Sequence, residues 1–263
     1  MSSNILGTVP ILVVVTIQLL LLRNVSSQNV TNEYLNHNCN NTQGRYRAGS
    51  VFDKNLQQVL RNISNHDLSF GYSYSSNVVA YKVSKDPNIV FVLLQCRGDS
   101  FGPKCHSCLK IALSGLRERC PGNRGASIWY EQCLLEISSV DTEGRIHYKS
   151  MYYMSNPTNV THDPKHFEDK RRDLLHKLML DATKDSKEND GKGPFYAVGE
   201  MMIGRNKMYA MVQCTQDLWQ NGCHACQEWI ASKYGEFFYR KPGGRVYGRS
   251  CSFRYELYPF LRR

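Results

Sequence analysis

Past residue 22 the sequence lacks any apolar stretch approaching the roughly 20 residues that a membrane-spanning helix needs. Its tail, YPFLRR, lacks a lipid-anchor pattern. Stable membrane insertion of the body of the chain is therefore not expected. Nucleophile elbow, phosphate-binding loop and metalloprotease helix are missing as well, and with them the usual signs of an enzyme. Acidic residues are scarce, 23 Asp plus Glu against 33 Lys plus Arg, which leaves a formal charge of +10. That excess is not gathered anywhere. Lys170, Arg171 and Arg172 stand among Glu168, Asp169 and Asp173, the pattern of a solvated helix face rather than of a nucleic-acid patch. Hydrophobic residues make up 41% and charged residues 21% of the 263 positions, a globular composition for one or two domains that excludes a disordered or fibrous chain.

The start of the chain sets the compartment. Residues Pro10 to Leu22 are apolar apart from Thr16 and Gln18, too short for a span but suited to the core of a signal peptide. Val25 and Ser27 supply the small residues of a cleavage site before Gln28. Residues 1–27 are therefore read as a signal peptide, and losing Arg23 leaves a mature charge of +9 (32 basic against 23 acidic residues). Along a secretory route, four Asn-x-Ser/Thr sequons at Asn29, Asn40, Asn62 and Asn159 become candidate glycan sites. The oxidising environment makes structural disulfides the default for the ten cysteines.

The cysteines repeat. Cys96, Cys105 and Cys108 have the spacing C-x8-C-x2-C, and Cys214, Cys223 and Cys226 reproduce it 118 residues later. The same shift carries Cys133 onto Cys251. Such a match marks a tandem repeat, with copy one at 28–140, copy two at 146–263 and a linker around Ser138 to Arg145. Each copy begins with an amphipathic helix: Leu56, Val59, Leu60 and Ile63 in one, Leu174, Leu175, Leu178 and Met179 in the other. Two β-rich runs follow across turn residues, VVAYKV–SKDPN–IVFVLLQC and FYAVGEMMI–GRN–KMYAMVQC. A second helix carries the CxxC, and an extended segment holds the last cysteine. The expected architecture is α+β, with helices on one face of an antiparallel sheet.

Copy one has two further cysteines, Cys39 and Cys120. Adding 118 to Cys120 gives Phe238, and aligning the Phe residues that open the first helices sets Met154 opposite Cys39. Losing one half-cystine would strand a thiol, whereas losing both strands none. Their joint absence argues that Cys39 pairs with Cys120, and that Phe238 and Met154 replace the bond with apolar packing. Three connectivities remain for the four shared cysteines. Closing Cys105 on Cys108 would give a redox-type CxxC. The preferred scheme is Cys96–Cys105 with Cys108–Cys133, and Cys214–Cys223 with Cys226–Cys251, because each bond then staples different neighbouring elements.

The C-x8-C-x2-C spacing, the hairpin before it and the ending CSFRYE resemble the plant cysteine-rich repeat secretory proteins, whose domain is of the ginkbilobin type. That domain also builds the ectodomains of cysteine-rich receptor-like kinases and plasmodesmata-located proteins. The resemblance implies two tandem domains, each with two helices packed on a five-stranded antiparallel sheet, and it implies the preferred disulfides. Ginkbilobin binds mannose through an Asn after the first cysteine, an Arg six residues before the last and a Glu five after it. The corresponding residues here are Asn40, Ser127 and Ser138 in copy one, and Ser155, Arg245 and Glu256 in copy two. On that alignment neither copy holds the full set, and the matching residues Asn40, Arg245 and Glu256 are split between the copies. A glycan on Asn40 would also obstruct the pocket.

The resemblance implies a secreted, non-enzymatic plant protein that recognises a cell-wall carbohydrate or an extracellular protein in defence or stress signalling. No cofactor and no metal are expected. The competing readings are a thiol-redox protein using CHSC and CHAC, and a module that forms homo- or heterodimers through sheet edges. His106 and His224 recur inside the CxxC pairs, but a single His with disulfide cysteines is not a metal site.

Overall fold

The computed structural model describes residues 32–77, 86–184 and 195–261. The expected signal peptide and the Asn29 sequon lie outside them. The chain divides into a unit of residues 1–33 and a unit of residues 34–263, and the architecture below is that of the second.

Both repeats build the same sheet. Repeat one contributes β1 (Tyr34–Arg45), α1 (Val51–Asn65), β2 (Tyr72–Ser76), β3 (Phe91–Cys96), α2 (Pro103–Arg119), β4 (Asn123–Tyr130) and β5 (Cys133–Ser138). Repeat two contributes β6 (Tyr152–Ser155), α3 (Pro164–Ala182), β7 (Tyr196–Ile203), β8 (Asn206–Cys214), α4 (Gln220–Tyr234), β9 (Gly244–Tyr247) and β10 (Cys251–Glu256). The strand orders, β1-β4-β5-β3-β2 and β6-β9-β10-β8-β7, are one topology used twice, with every described pairing antiparallel.

Local chemistry starts the helices. Ser50 caps α1 by accepting from the Asp53 N–H at 3.3 Å, while the Asp53 carboxylate reaches back to the Gly49 N–H at 2.8 Å. Phe52, Leu56, Val59, Leu60 and Ile63 then line its buried face. Asp163 and Pro164 open α3 in the same spirit, with the Asp163 carboxylate accepting from the His166 N–H at 3.1 Å. Each helix pair covers one face of its sheet over a separate core. The other faces of the two sheets meet in a third cluster, which joins Leu35, Leu93, Trp129 and Leu134 of repeat one to Tyr196, Met211 and Tyr247 of repeat two. The unit is thus layered helix, sheet, sheet, helix.

Five disulfides join Cys39–Cys120, Cys96–Cys105, Cys108–Cys133, Cys214–Cys223 and Cys226–Cys251. No free cysteine remains among the described residues. Cys105 and Cys108 point to different strands, so the CxxC does not close on itself.

Three sequence expectations need correction. The extended segment holding the last cysteine is two strands, β4 and β5, joined by the tight turn Glu131–Gln132. The continuous run SIWYEQCLLEI hides that turn because it contains no Gly, Pro, Asn or Asp. The strand expected at VVAYKV, residues 78–83, lies wholly outside the described residues, and the strands that β3 pairs with are β2, upstream at Tyr72–Ser76, and β5. Finally, Met154 does not stand opposite Cys39. Cys39 pairs in register with Ala126, and Ser155 with Gly244, which is Ala126 shifted by 118. Ser155 therefore takes the place of Cys39. Met154 is 43% exposed on the edge strand and adds nothing to the core. Phe238 does fill its half of the missing bond. It is fully buried, edge-on to Phe253 at 5.5 Å and to Tyr255 at 6.0 Å. A Cβ on Gly244 would lie 2.4 Å from its ring, so the ring packs where only glycine leaves room.

Candidate carbohydrate site

The corrected register moves the candidate site. With Ser155 in the place of Cys39, the residue matching Asn40 is Asn156, not Ser155. The two asparagines behave alike: Asn40 Oδ1 accepts from Thr42 N at 3.0 Å and Oγ1 at 2.6 Å, and Asn156 Oδ1 from Thr158 N at 3.0 Å and Oγ1 at 2.8 Å. The trio named from sequence, Asn40, Arg245 and Glu256, is not brought together, because Asn40 belongs to the other sheet. Repeat two instead holds Asn156, Arg245 and Glu256 on its own sheet. Asn156 N donates to Gly243 O at 2.9 Å, and Glu256 Oε2 lies 2.0 Å from where a Gly243 Cβ would be.

That trio is engaged within the protein. Arg245 Nη1 donates to Glu131 Oε2 at 3.3 Å, and Arg254 Nε donates to Glu256 Oε1 at 3.0 Å. Glu131 comes from the β4–β5 turn of repeat one. Its carboxylate also accepts from Arg97 of its own repeat and from Arg254 of repeat two. The Arg245 and Glu256 side chains are only 13% and 8% exposed. Burial alone would lower the Arg254 pKa, but the carboxylates of Glu131 and Glu256, with the Tyr247 hydroxyl, hold it above its usual range. A sugar entering here would have to displace a buried ion-pair cluster.

The matching region of repeat one is open. A cavity of about 490 Å³ is lined there by Asn38, Asn40, Gln43, Ser127 and Trp129, with His147, Lys149 and Ser150 from the connection between the repeats. Ser127 and Ser138 stand where repeat two has Arg245 and Glu256, and these small side chains leave the space. Gln43 partly refills it. Its carboxamide lies over Gly125, and its Oε1 accepts from Ser138 Oγ at 3.2 Å and from Ser139 N at 2.7 Å.

Among the described residues one carboxylate lies on the cavity wall, that of Glu136, and it accepts from Arg249 Nε of repeat two at 2.8 Å. Arg249 also donates to Asp217 at 2.6 Å and to Thr142 at 3.1 Å. Burial opposes the Arg249 charge, but Glu136 and Asp217 outweigh it and raise its pKa. His147 is held below its usual pKa by burial and then by Arg249, and its Nε2 is buried with no hydrogen-bond partner.

Residues 38–140 and 154–258 match the salt stress response/antifungal family, one copy for each repeat. The chain belongs to that family. It is 84% identical over 264 residues to cysteine-rich repeat secretory protein 26 of Arabidopsis thaliana, with the whole of both chains covered. Its fold is similar to that of the tandem DUF26 ectodomain of the Arabidopsis thaliana cysteine-rich receptor-like protein PDLP8 (TM-score 0.70, 22% identity, 86% of this chain and 97% of that one). The corresponding ectodomain of PDLP5 gives a TM-score of 0.69 at 19% identity, covering 85% of this chain and 99% of that one. The protein is a secreted, extracellular member of the salt stress response/antifungal family. Among the described residues no helix is long and apolar enough to cross a membrane.

The remaining sequons fall on surface positions: Asn62 on the exposed side of α1 and Asn159 in the exposed loop before α3. Asn156, Glu131, Glu136 and Arg249 were not singled out by the sequence. Asn156 had a usable signal, since Asn156-Pro157-Thr158 repeats the Asn-x-Thr of Asn40-Asn41-Thr42.

Proposed function

We propose that this protein is a non-enzymatic extracellular recognition module whose repeat-one cavity takes a short, neutral, mannose-like glycan. The observation that carries the reading is the cavity itself, of about 490 Å³, with carboxamides and hydroxyls making up close to half of its wall. Neutral sugars are held by many converging hydrogen bonds, each contributing only about 0.5–1.5 kcal/mol net, and an amide-rich wall offers both donors and acceptors. The non-enzymatic part rests on the carboxylates. Glycoside hydrolysis in most families uses two acidic groups flanking the bond, whereas among the described residues the cavity presents Glu136 alone, ion-paired to Arg249.

A glycan array with enzymatically deglycosylated protein tests this, comparing wild type with Asn38→Ala and Arg245→Ala. Asn38 lines the cavity outside the Asn40 sequon. The expected result is binding of neutral oligosaccharides that falls about tenfold in Asn38→Ala and is unchanged in Arg245→Ala. Binding lost with Arg245→Ala but kept in Asn38→Ala would move the site to repeat two, and an empty array would end the glycan reading.

A further inference from the structure

The two sheets meet through a reciprocal contact whose charges are inverted. Shifting Glu131 by 118 gives Arg249, and shifting Glu136 gives Arg254. These four residues pair with one another in two cross-repeat bridges, and Glu131 makes a third to Arg245. Glu131 reaches across to Arg254, and Arg249 reaches across to Glu136 at 2.8 Å. Each repeat thus offers the other the same two positions, one from the β4–β5 or β9–β10 turn and one from the strand after it. In repeat one both are acidic, and in repeat two both are basic. All four side chains are at most 12% exposed.

Topology and apolar packing alone would let either sheet dock on a copy of itself. Leu93 and Met211 are equivalent positions in the interface, as are Trp129 and Tyr247, and all four are large and buried. Charge removes that freedom. Two copies of repeat one meeting in this geometry would set Glu131 against Glu136 twice. Two copies of repeat two would set Arg249 against Arg254 twice, with Arg245 adding to the repulsion. Each like-charge contact would replace an attraction by a repulsion in a buried place, leaving Glu131 only Arg97, Arg249 only Asp217 and Arg254 only Glu256 of their own repeats, and leaving Glu136 without its Arg249 partner.

We propose that this inversion is a docking code. It makes each sheet accept only the other, and it lets a second copy of the chain enter the interface only by exchanging repeats, repeat one of one chain on repeat two of the other.

Charge-reversed full-length chains test the code. A basic chain, Glu131→Arg with Glu136→Arg, carries Arg at all four positions. An acidic chain, Arg249→Glu with Arg254→Glu, carries Glu at all four. A fourfold variant combining them restores opposite signs across both contacts and keeps the net charge of each cluster as in the wild type. The basic and acidic chains are expected each to lose about 10 °C in Tm, and the fourfold variant to lose clearly less than the sum of the two losses, because the cross-repeat attractions return while Arg97, Arg245, Asp217 and Glu256 still face reversed neighbours. Refolded together at equal concentration, the basic and acidic chains should form a 1:1 complex of twice the chain mass by light scattering, which neither forms alone. Disulfide mapping and far-UV circular dichroism check that each repeat is folded. A fourfold variant whose loss in Tm equals or exceeds the sum of the two twofold losses would overturn the code, because it would mean that the opposed positions do not act on each other across the interface. So would a mixture that stays monomeric.

Discussion

The two repeats solve the same mechanical problem differently. In repeat one the edge strand β1 is 12 residues long and is tied to the end of α2 by Cys39–Cys120, a bond across 81 residues. In repeat two the edge strand β6 is four residues long and has no such bond. Its place is taken by the buried Phe238 ring and by a chain of aromatics that runs from Tyr148 to Trp229 (4.9 Å), Trp229 to Tyr234 (6.0 Å) and Tyr234 to Tyr153 (5.1 Å), with Phe237 4.7 Å from Tyr153. A disulfide acts largely on the unfolded chain, by shortening its loops, whereas rings act on the folded chain, by filling space. One fold therefore tolerates either kind of staple at the same place, and the choice should show in how each copy fails.

The largest expected effect is removal of the covalent staple. Cys39→Ser with Cys120→Ser should lower stability by about 4–5 kcal/mol on loop-entropy grounds, read as a lower urea midpoint, and should leave repeat two protected in hydrogen exchange. Phe238→Ala is the matching lesion in repeat two. Emptying a fully buried ring should cost about 3–5 kcal/mol, with the loss of protection now confined to β6, β9 and the end of α4. If both variants lost protection evenly across the chain, the contrast between the staples would not hold.

A third variant transplants the covalent solution. Ser155→Cys with Phe238→Cys sets cysteines at the positions of Cys39 and Cys120. The oxidised form is expected to stay about 1–2 kcal/mol below wild type, because the new bond is offset by the cavity that the ring leaves over Gly244. Stability above wild type would show that the ring is a poor substitute for the bond.

The smallest effect is a pH response near the cavity. His147 is held below its usual pKa of 6.5 by burial and by Arg249, so the unfolded chain binds the proton more readily than the folded one. Its contribution is fully present above pH 6.5 and is lost as pH falls through the folded value. Urea midpoints at pH 7 and pH 5 should converge in His147→Gln relative to wild type, and an unchanged difference would remove His147 from the response.

Much of this was legible in the chain itself. The cysteine register gave the duplication, and the joint absence of two cysteines pointed to Cys39–Cys120, because disulfides leave a strict arithmetic in the sequence. The helices were readable from apolar spacing that the cores then use. The β4–β5 turn was not, since Glu131 and Gln132 interrupt an apolar run without any turn residue. That one omission hid the residue that occupies Arg245. The place of Asn156 was missed for a related reason. Without a counterpart of Cys39 in repeat two the alignment rested on the first helix, and β6 sits one residue away from where the helix would set it. Pairing register is a property of the sheet, and it becomes visible only when the neighbouring strand is in place.

The cavity of repeat one has Arg249, a residue of repeat two, in its wall. A lone copy of the domain would not have that wall, so duplication did more here than double a binding unit. It gave one copy a surface contributed by the other. Sequence change in the β9–β10 turn is therefore also change in the cavity of repeat one, and the two halves of the gene are not free to drift apart.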